Sequence, residues 1–278
     1  MATLAYETFV APATPVVSDD LPAGETREMW SPISATLIHG DREAVLVDAL
    51  LTDQQGHDLA DWVEASGREL TTIYVTHGHG DHFFGAAAVL ERFPDARLVA
   101  TPEVVDVMRA NLEPDRLDGF WRTRFPDQIT DPVVAETFDG DIELEGERLI
   151  AVPLGHSDTD HTTALLASSI GLVVAGDSVY NGVHLYLAEA GDGGLDGWFG
   201  ALDTIDDLRP RAVVAGHKAP GAGDSPADVD ATRDYLRDWA EAVRRSTDTQ
   251  ELYDTMIRRY PDRINRAVVW HSAEAAKG

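Results

Sequence analysis

The 278 residues carry 49 acidic against 22 basic side chains, a formal net charge of -27, with 44% hydrophobic and 26% charged residues and no cysteine. That composition fits a globular chain long enough to bury one large core or two fused halves, and it disfavours disorder. The charge repels phosphate backbones and anionic membranes, which argues against nucleic-acid and membrane partners, while the lack of cysteine excludes disulfides and thiolate metal sites. Lys218 and Lys277 are the only lysines. Residues 1–22 have neither a basic leader segment nor a continuous apolar one, and no stretch reaches the ~20 apolar residues of a membrane span, so the expected location is cytoplasmic.

In chain order, residues 1–30 are irregular, punctuated by Pro12, Pro15 and Pro22, and read as an N-terminal arm or edge strand ahead of a single domain spanning 31–278. Strands are expected at 34–38 and 44–47, joined by the turn His39-Gly40-Asp41-Arg42. Asp48 ends the second of these, before a helix over Asp53–Ala65. The stretch 70–75 is β-branched and aromatic, the pattern of a buried strand, and 83–93 carries the Ala and Leu of a helix.

Between them lies Thr76-His77-Gly78-His79-Gly80-Asp81-His82, a strand-to-helix loop. Three imidazoles and a carboxylate within six residues are the donors a metal ion needs, and loops at strand ends are where a rigid sheet can bring several side chains to one point. The alternative is a solvated histidine-rich turn in which Asp81 caps the following helix.

A short strand at 97–100 follows, and Thr101-Pro102-Glu103 marks another helix start. Residues 111–131 break the alternation with Pro114, Pro126, Phe120, Trp121 and Phe125, which form either a cap over a pocket or a local aromatic core. Further strands are expected at 133–138, 142–144 and 148–152, the last running into Pro153-Leu154-Gly155-His156. Those at 162–167 and 172–175 come next, the latter ending in Gly176-Asp177, and 212–215 leads into Gly216-His217-Lys218. Four strands thus end in His or Asp, which neither a core histidine nor an ordinary cap predicts.

Residues 178–200 hold Tyr180, His184, Tyr186 and six glycines, and a connection of that length, tethered to Asp177, is expected to form one wall of a pocket. Tyr180 is the candidate donor to a substrate oxygen there, with Lys218 available to an anionic group. Ser225-Pro226-Ala227-Asp228 opens a helix whose Val229, Leu236, Trp239 and Val243 recur at helical spacing. A last helix near Thr249–Arg259 either closes the fold or contacts a second copy of the chain in a homodimer.

The pattern His-x-His-x-Asp-His after a hydrophobic strand resembles the signature of the metallo-β-lactamase-fold hydrolases, and the resemblance extends from about residue 31 to 221. It implies an α/β fold, a four-layer αββα sandwich of two similar halves. It also implies two divalent metal ions, with zinc expected and iron or manganese compatible. By this comparison His77, His79 and His156 look like the ligands of one metal and Asp81, His82 and His217 like those of the second, with Asp177 bridging. Asp48 would brace the metal loop from behind, although it could equally cap the helix that follows. His161 resembles a second histidine that the family often places after the His156 position.

The activity implied is hydrolysis of a small-molecule ester, lactone or lactam by metal-bound hydroxide, with Asp81 also moving a proton. Asp177-Ser178-Val179-Tyr180 is similar to the Asp-x-x-Tyr arrangement of the family's lactonases. The alternatives are an iron-dependent oxidoreductase resembling the persulfide dioxygenases and a glyoxalase-like thioester hydrolase. The C-terminal region shows no basic cluster for glutathione carboxylates.

Overall fold

The computed structural model describes residues 3–191 and 193–278. The first two residues of the expected arm and one residue of the 178–200 segment lie outside that range. Two mixed sheets pack face to face between two layers of helices. The first sheet runs Tyr180–Asn181, His217–Lys218, Ile33–His39, Glu43–Val47, Glu69–Tyr74, Arg97–Ala100 and Glu136–Thr137, with Ala5–Ala11 paired on Ile33–His39. The second runs Ala212–Val214, Leu172–Val174, Thr162–Ala167, Glu147–Gly155 and Asp141–Leu144.

Successive strand side chains point to opposite faces, so residue parity decides which core each one joins. Val45 and Val47 meet Leu165, Leu172, Val174 and Val214 between the sheets. Their neighbours Ala44 and Leu46 face the helices Asp53–Ala65, Ala86–Arg92 and Pro102–Asn111. Val173 and Val213 face the opposite helical layer, which contains Gly194–Asp207 and Ala227–Arg245. Burial on both faces is why these strands read as unbroken apolar runs rather than alternating ones. Each fully buried Val or Leu contributes about 1.5–3 kcal/mol relative to exposure.

Several boundaries depart from the sequence expectation. The helix expected from residue 83 begins at Ala86, because Gly80–His82 forms a 3-10 turn and Phe83 leaves helical angles at φ -141°. The strand expected at 133–138 contracts to Glu136–Thr137, since Val133 and Val134 instead pack against the first helical layer. Helix Gly194–Asp207 takes the end of the 178–200 segment, where its glycines are poor helix formers. A final helix, Ala267–Lys277, folds back near strand Glu28–Trp30. That strand pairs with Thr14–Val16, so the first thirty residues hold three strands on two sheets: Ala5–Ala11 on the first sheet, and the Thr14–Val16 and Glu28–Trp30 pair apart from it. Among the described residues no helix is long and apolar enough to cross a membrane.

Candidate metal centre

The metal-loop histidines are delivered by strand Glu69–Tyr74, Asp177 by Leu172–Val174, and His217 by the chain as it crosses from Ala212–Val214 to the first sheet. That crossing turns at Gly216. A Cβ there would lie 2.1 Å from Asp177 Oδ1, so only glycine lets the two connections approach. The site therefore sits where the strand ends of both sheets meet.

Seven buried side chains converge there: His77, His79, Asp81, His82, Asp158, Asp177 and His217. His77, His79 and Asp158 place ligand atoms within 4.8 Å of one another, as do Asp81, His82 and His217, and as do His77, His82 and Asp177. His79 Nδ1 is 2.8 Å from Asp158 Oδ2, and His217 Nε2 is 3.3 Å from Asp81 Oδ2. Asp177 reaches both sides of the second set, with Oδ1 3.2 Å from His82 Nε2 and Oδ2 3.1 Å from His217 Nε2.

The opposite nitrogen of every imidazole is held from outside. His82 Nδ1 lies 2.9 Å from Asp48 Oδ2, His79 Nε2 3.1 Å from Glu189 Oε1, His217 Nδ1 2.9 Å from the Pro32 carbonyl, and His77 Nδ1 3.1 Å from Thr76 Oγ1. Such partners fix ring orientation and tautomer, the usual arrangement behind metal-binding histidines. Asp48 also accepts from the Thr76 backbone N–H at 2.8 Å and from its hydroxyl at 2.9 Å. The cap of helix Asp53–Ala65 is Thr52, in a reciprocal capping box with Gln55, so of the two readings of Asp48 the geometry selects the brace. Asp81 does not cap a helix either: its Oδ2 accepts the Trp30 indole N–H at 2.8 Å.

Inside this frame, His77 Nε2, His82 Nε2, Asp158 Oδ2 and Asp177 Oδ1 are buried without a well-directed hydrogen bond: Asp158 Oδ2 lies against His79 and Asp177 Oδ1 against His82, at ion-pair distance but off hydrogen-bond geometry. Orphaned donors and acceptors are costly unless something binds them. Burial disfavours charge on His82, yet Asp177, Asp48 and Asp81 raise its pKa well above the usual imidazole value, and Asp158 and Glu189 do the same for His79. His217, also buried, is pushed up to about 10 by Asp177 and Asp81. Burial works against the Asp177 anion as well, but His217 and His82 hold its carboxyl well below the ordinary range. Three buried carboxylates demand positive charge in this pocket. Four imidazoles and three carboxylates suit zinc, iron or manganese, so the residues fit a pair of divalent ions.

His156 is not part of the convergence. Its Nδ1 lies 2.7 Å from Asp160 Oδ1, and its ring packs against Gly194 and Gly197, where a Cβ on Gly194 would lie 2.6 Å from Nε2. The strand that carries it shifts register between Pro153 and Gly155, and Gly155 turns through φ +81°. This rotation sends His156 toward helix Gly194–Asp207 and turns Asp158, which is fully buried, into the expected position. His161 is exposed.

A cavity of about 290 Å³ opens beside the convergent residues, lined among others by Trp30, Phe120, Trp121, Tyr186 and Val268. Phe120 and Trp121 bring the 111–131 segment over the cavity, and Trp121 also donates to Asn111, which in turn donates to the Gly78 carbonyl in the metal loop. The 178–200 segment contributes Tyr180, His184 and Tyr186. The Tyr180 hydroxyl donates to Asp177 Oδ2 at 2.8 Å, and its ring lies nearly parallel to His217. His184 is pushed down to about 3 by burial and by Arg263 and Arg266, and its Nδ1 is 2.9 Å from the Tyr235 hydroxyl. Lys218 does not reach the cavity: it is buried and paired with Asp224. Asp158, Trp30 and Glu189 were not singled out from the sequence. Asp158 alone had a local signal, a carboxylate two residues beyond the strand-end histidine.

Residues 29–217 match the model of the metallo-beta-lactamase superfamily. A hydroxyacylglutathione hydrolase of Parasynechococcus marenigrum is 36% identical over 63 residues, 23% of each chain. A metal-dependent hydrolase of Staphylococcus carnosus is 31% identical over 97 residues, 33% of this chain and 40% of that one. The matched stretches thus span less than half of either relative. Among solved structures, a metallo-beta-lactamase family protein of Thermus thermophilus superposes with TM-score 0.63 at 20% identity, covering 97% of this chain and 91% of that one. A metallo-beta-lactamase from Pontibacter korlensis gives 0.58 at 16% identity, covering 84% and 99%. At these identities the structural likeness is one of fold, and with the match over 29–217 it places the chain in the metallo-beta-lactamase superfamily.

Proposed function

We propose that the protein is a dinuclear metal-dependent hydrolase of a small-molecule ester, lactone or lactam, with zinc as its ion. The observation that carries this reading is the pair of ligand sets linked by Asp177, with each imidazole held from behind and four polar atoms left orphaned at the centre. Two ions held there would lower the pKa of water to about 7 and polarise the scissile carbonyl. His77, His79 and Asp158 would hold one ion, Asp81, His82 and His217 the other, and Asp177 both. Asp81, steadied by the Trp30 indole, is assigned to holding the proton taken from water and returning it to the leaving group. Tyr180, expected from the sequence as a donor to substrate, is assigned instead to positioning Asp177, on which its hydrogen bond is spent. The formal charge of -27 supports a small substrate over a polyanion.

A thioester substrate is the second reading. It is favoured by the local similarity to a hydroxyacylglutathione hydrolase and by Arg116 and Arg124, which supply positive charge at the cavity. The test is elemental analysis of protein purified without chelator, followed by a screen over lactones, aryl esters, β-lactams, thioesters and phosphodiesters. Two zinc ions per chain with turnover on the first three classes is the expected result, and turnover confined to thioesters selects the second reading. Protein free of metal, or iron-loaded protein that consumes oxygen with a persulfide and hydrolyses nothing, overturns both.

A further inference from the structure

The wall of the cavity formed by strand Glu28–Trp30, residue 265 and helix Ala267–Lys277 has polar chemistry that the metal centre does not use. Glu28 is 4% exposed and lines the cavity. Its Oε1 is 3.0 Å from His271 Nε2, while its Oε2 is buried without a hydrogen-bond partner. On the other side of the same imidazole, His271 Nδ1 faces Glu274 Oε2 at 3.5 Å and Asp20 Oδ2 at 4.0 Å. Three carboxylates therefore surround one imidazole. Asn265 Oδ1, also on the cavity wall, is a second buried acceptor without a partner. Of the groups that line this cavity, the Arg116 and Arg124 guanidiniums lie against Phe120, with their carbons 4.5 and 3.9 Å from its ring centre. Burial opposes the rise in the His271 pKa that Glu28 causes, and Arg124 is near enough to His271 to oppose it too.

A buried carboxylate oxygen with no donor is an expensive feature to retain unless something pairs with it. We propose that Glu28, with Asn265 and the flanking Asp20 and Glu274, forms a subsite for a protonated nitrogen group, an ammonium or guanidinium, on the substrate. Glu28 and Trp30 are two residues apart on one strand, so they share a face at a separation of about 7 Å. Trp30 holds Asp81. Glu28 and the convergent residues therefore border the same cavity from one short strand, and the Trp30 and Trp121 rings that line it favour a cation beside them.

As a statement about substrate this rests on the hydrolase reading, but binding tests it separately. The probes are benzylguanidinium and its neutral analogue benzylurea, titrated against the zinc-loaded protein and against chelator-treated protein by calorimetry or tryptophan fluorescence. Benzylguanidinium is expected to bind at least tenfold more tightly than benzylurea, with and without zinc. Glu28→Gln is expected to remove that preference, and the paired change Asp20→Asn, Glu274→Gln at the more exposed edge to reduce it several-fold, so the outcome does not hang on how Glu28→Gln folds. Equal binding of the two probes overturns the proposal, as does a preference that the paired change leaves undiminished or that a folded Glu28→Gln protein retains. A third zinc per chain that the paired change abolishes overturns it too, by reassigning the cluster to a metal. Failure of the hydrolase reading would instead show as missing metal or missing turnover with the probe preference intact.

Discussion

Asp158 stands where His156, two residues before it, was expected, and variants of the two separate the assignments. Asp158→Ala is expected to lower zinc from two ions per chain toward one and to cut turnover by at least ~100-fold, the upper end of what even outer partners of a metal ligand cost. His156→Ala should keep both ions; elemental analysis of the two proteins decides. Tyr180→Phe removes the hydrogen bond to Asp177 Oδ2, so zinc affinity is expected to weaken ~10–100-fold, measured by competition with a chromophoric chelator. The metal loop was legible because donors crowd within six residues. The 156–161 stretch was not, because it offers two histidines and two aspartates, and the choice among them is made by a register shift at Pro153/Gly155 that residue pattern does not encode. Trp30 had no local signal at all, since its contact with Asp81 spans 51 residues.

At the scale of elements, the site depends on connections that almost touch. Gly216→Ala would set a methyl group 2.1 Å from Asp177 Oδ1 and 2.7 Å from the Gly176 carbonyl carbon. It is expected to destabilise the fold by about 1–3 kcal/mol, the usual cost of overpacking, and to lower zinc content; a variant that melts and binds metal like the wild type would remove Gly216 from this role. The strands were readable because burial on both faces leaves long apolar runs such as Ala44 to Val47. Helix Gly194–Asp207 was masked by its own glycines, two of which are used to admit the His156 ring rather than to break structure. The boundary at 133–138 failed for a related reason, since Val133 and Val134 look like strand residues but are consumed in packing under the first helical layer.

For the whole molecule, a formal charge of -27 on 278 residues means that compaction is opposed by self-repulsion. Salt shortens the range of that repulsion from about 10 Å at 0.1 M to about 3 Å at 1 M. Thermal stability is therefore expected to rise with sodium chloride, by roughly 2–4 °C for each kcal/mol recovered in a chain of this size class. Scanning calorimetry at 0.1 and 1 M salt, with zinc held constant, checks the sign; a melting temperature that falls would mean that surface ion pairs such as Arg97 with Glu136 outweigh the net repulsion.

The cavity also divides along the chain. All seven convergent residues fall within 29–217, the stretch that matches the superfamily, whereas Asn265, Val268, His271 and Glu274 come after it. The wall that carries the proposed cation subsite thus draws on chain to either side of that stretch, with Asp20 and Glu28 before it and Asn265 and Glu274 after it, so an exchange of helix Ala267–Lys277 between relatives would remodel this wall while leaving all seven convergent residues in place.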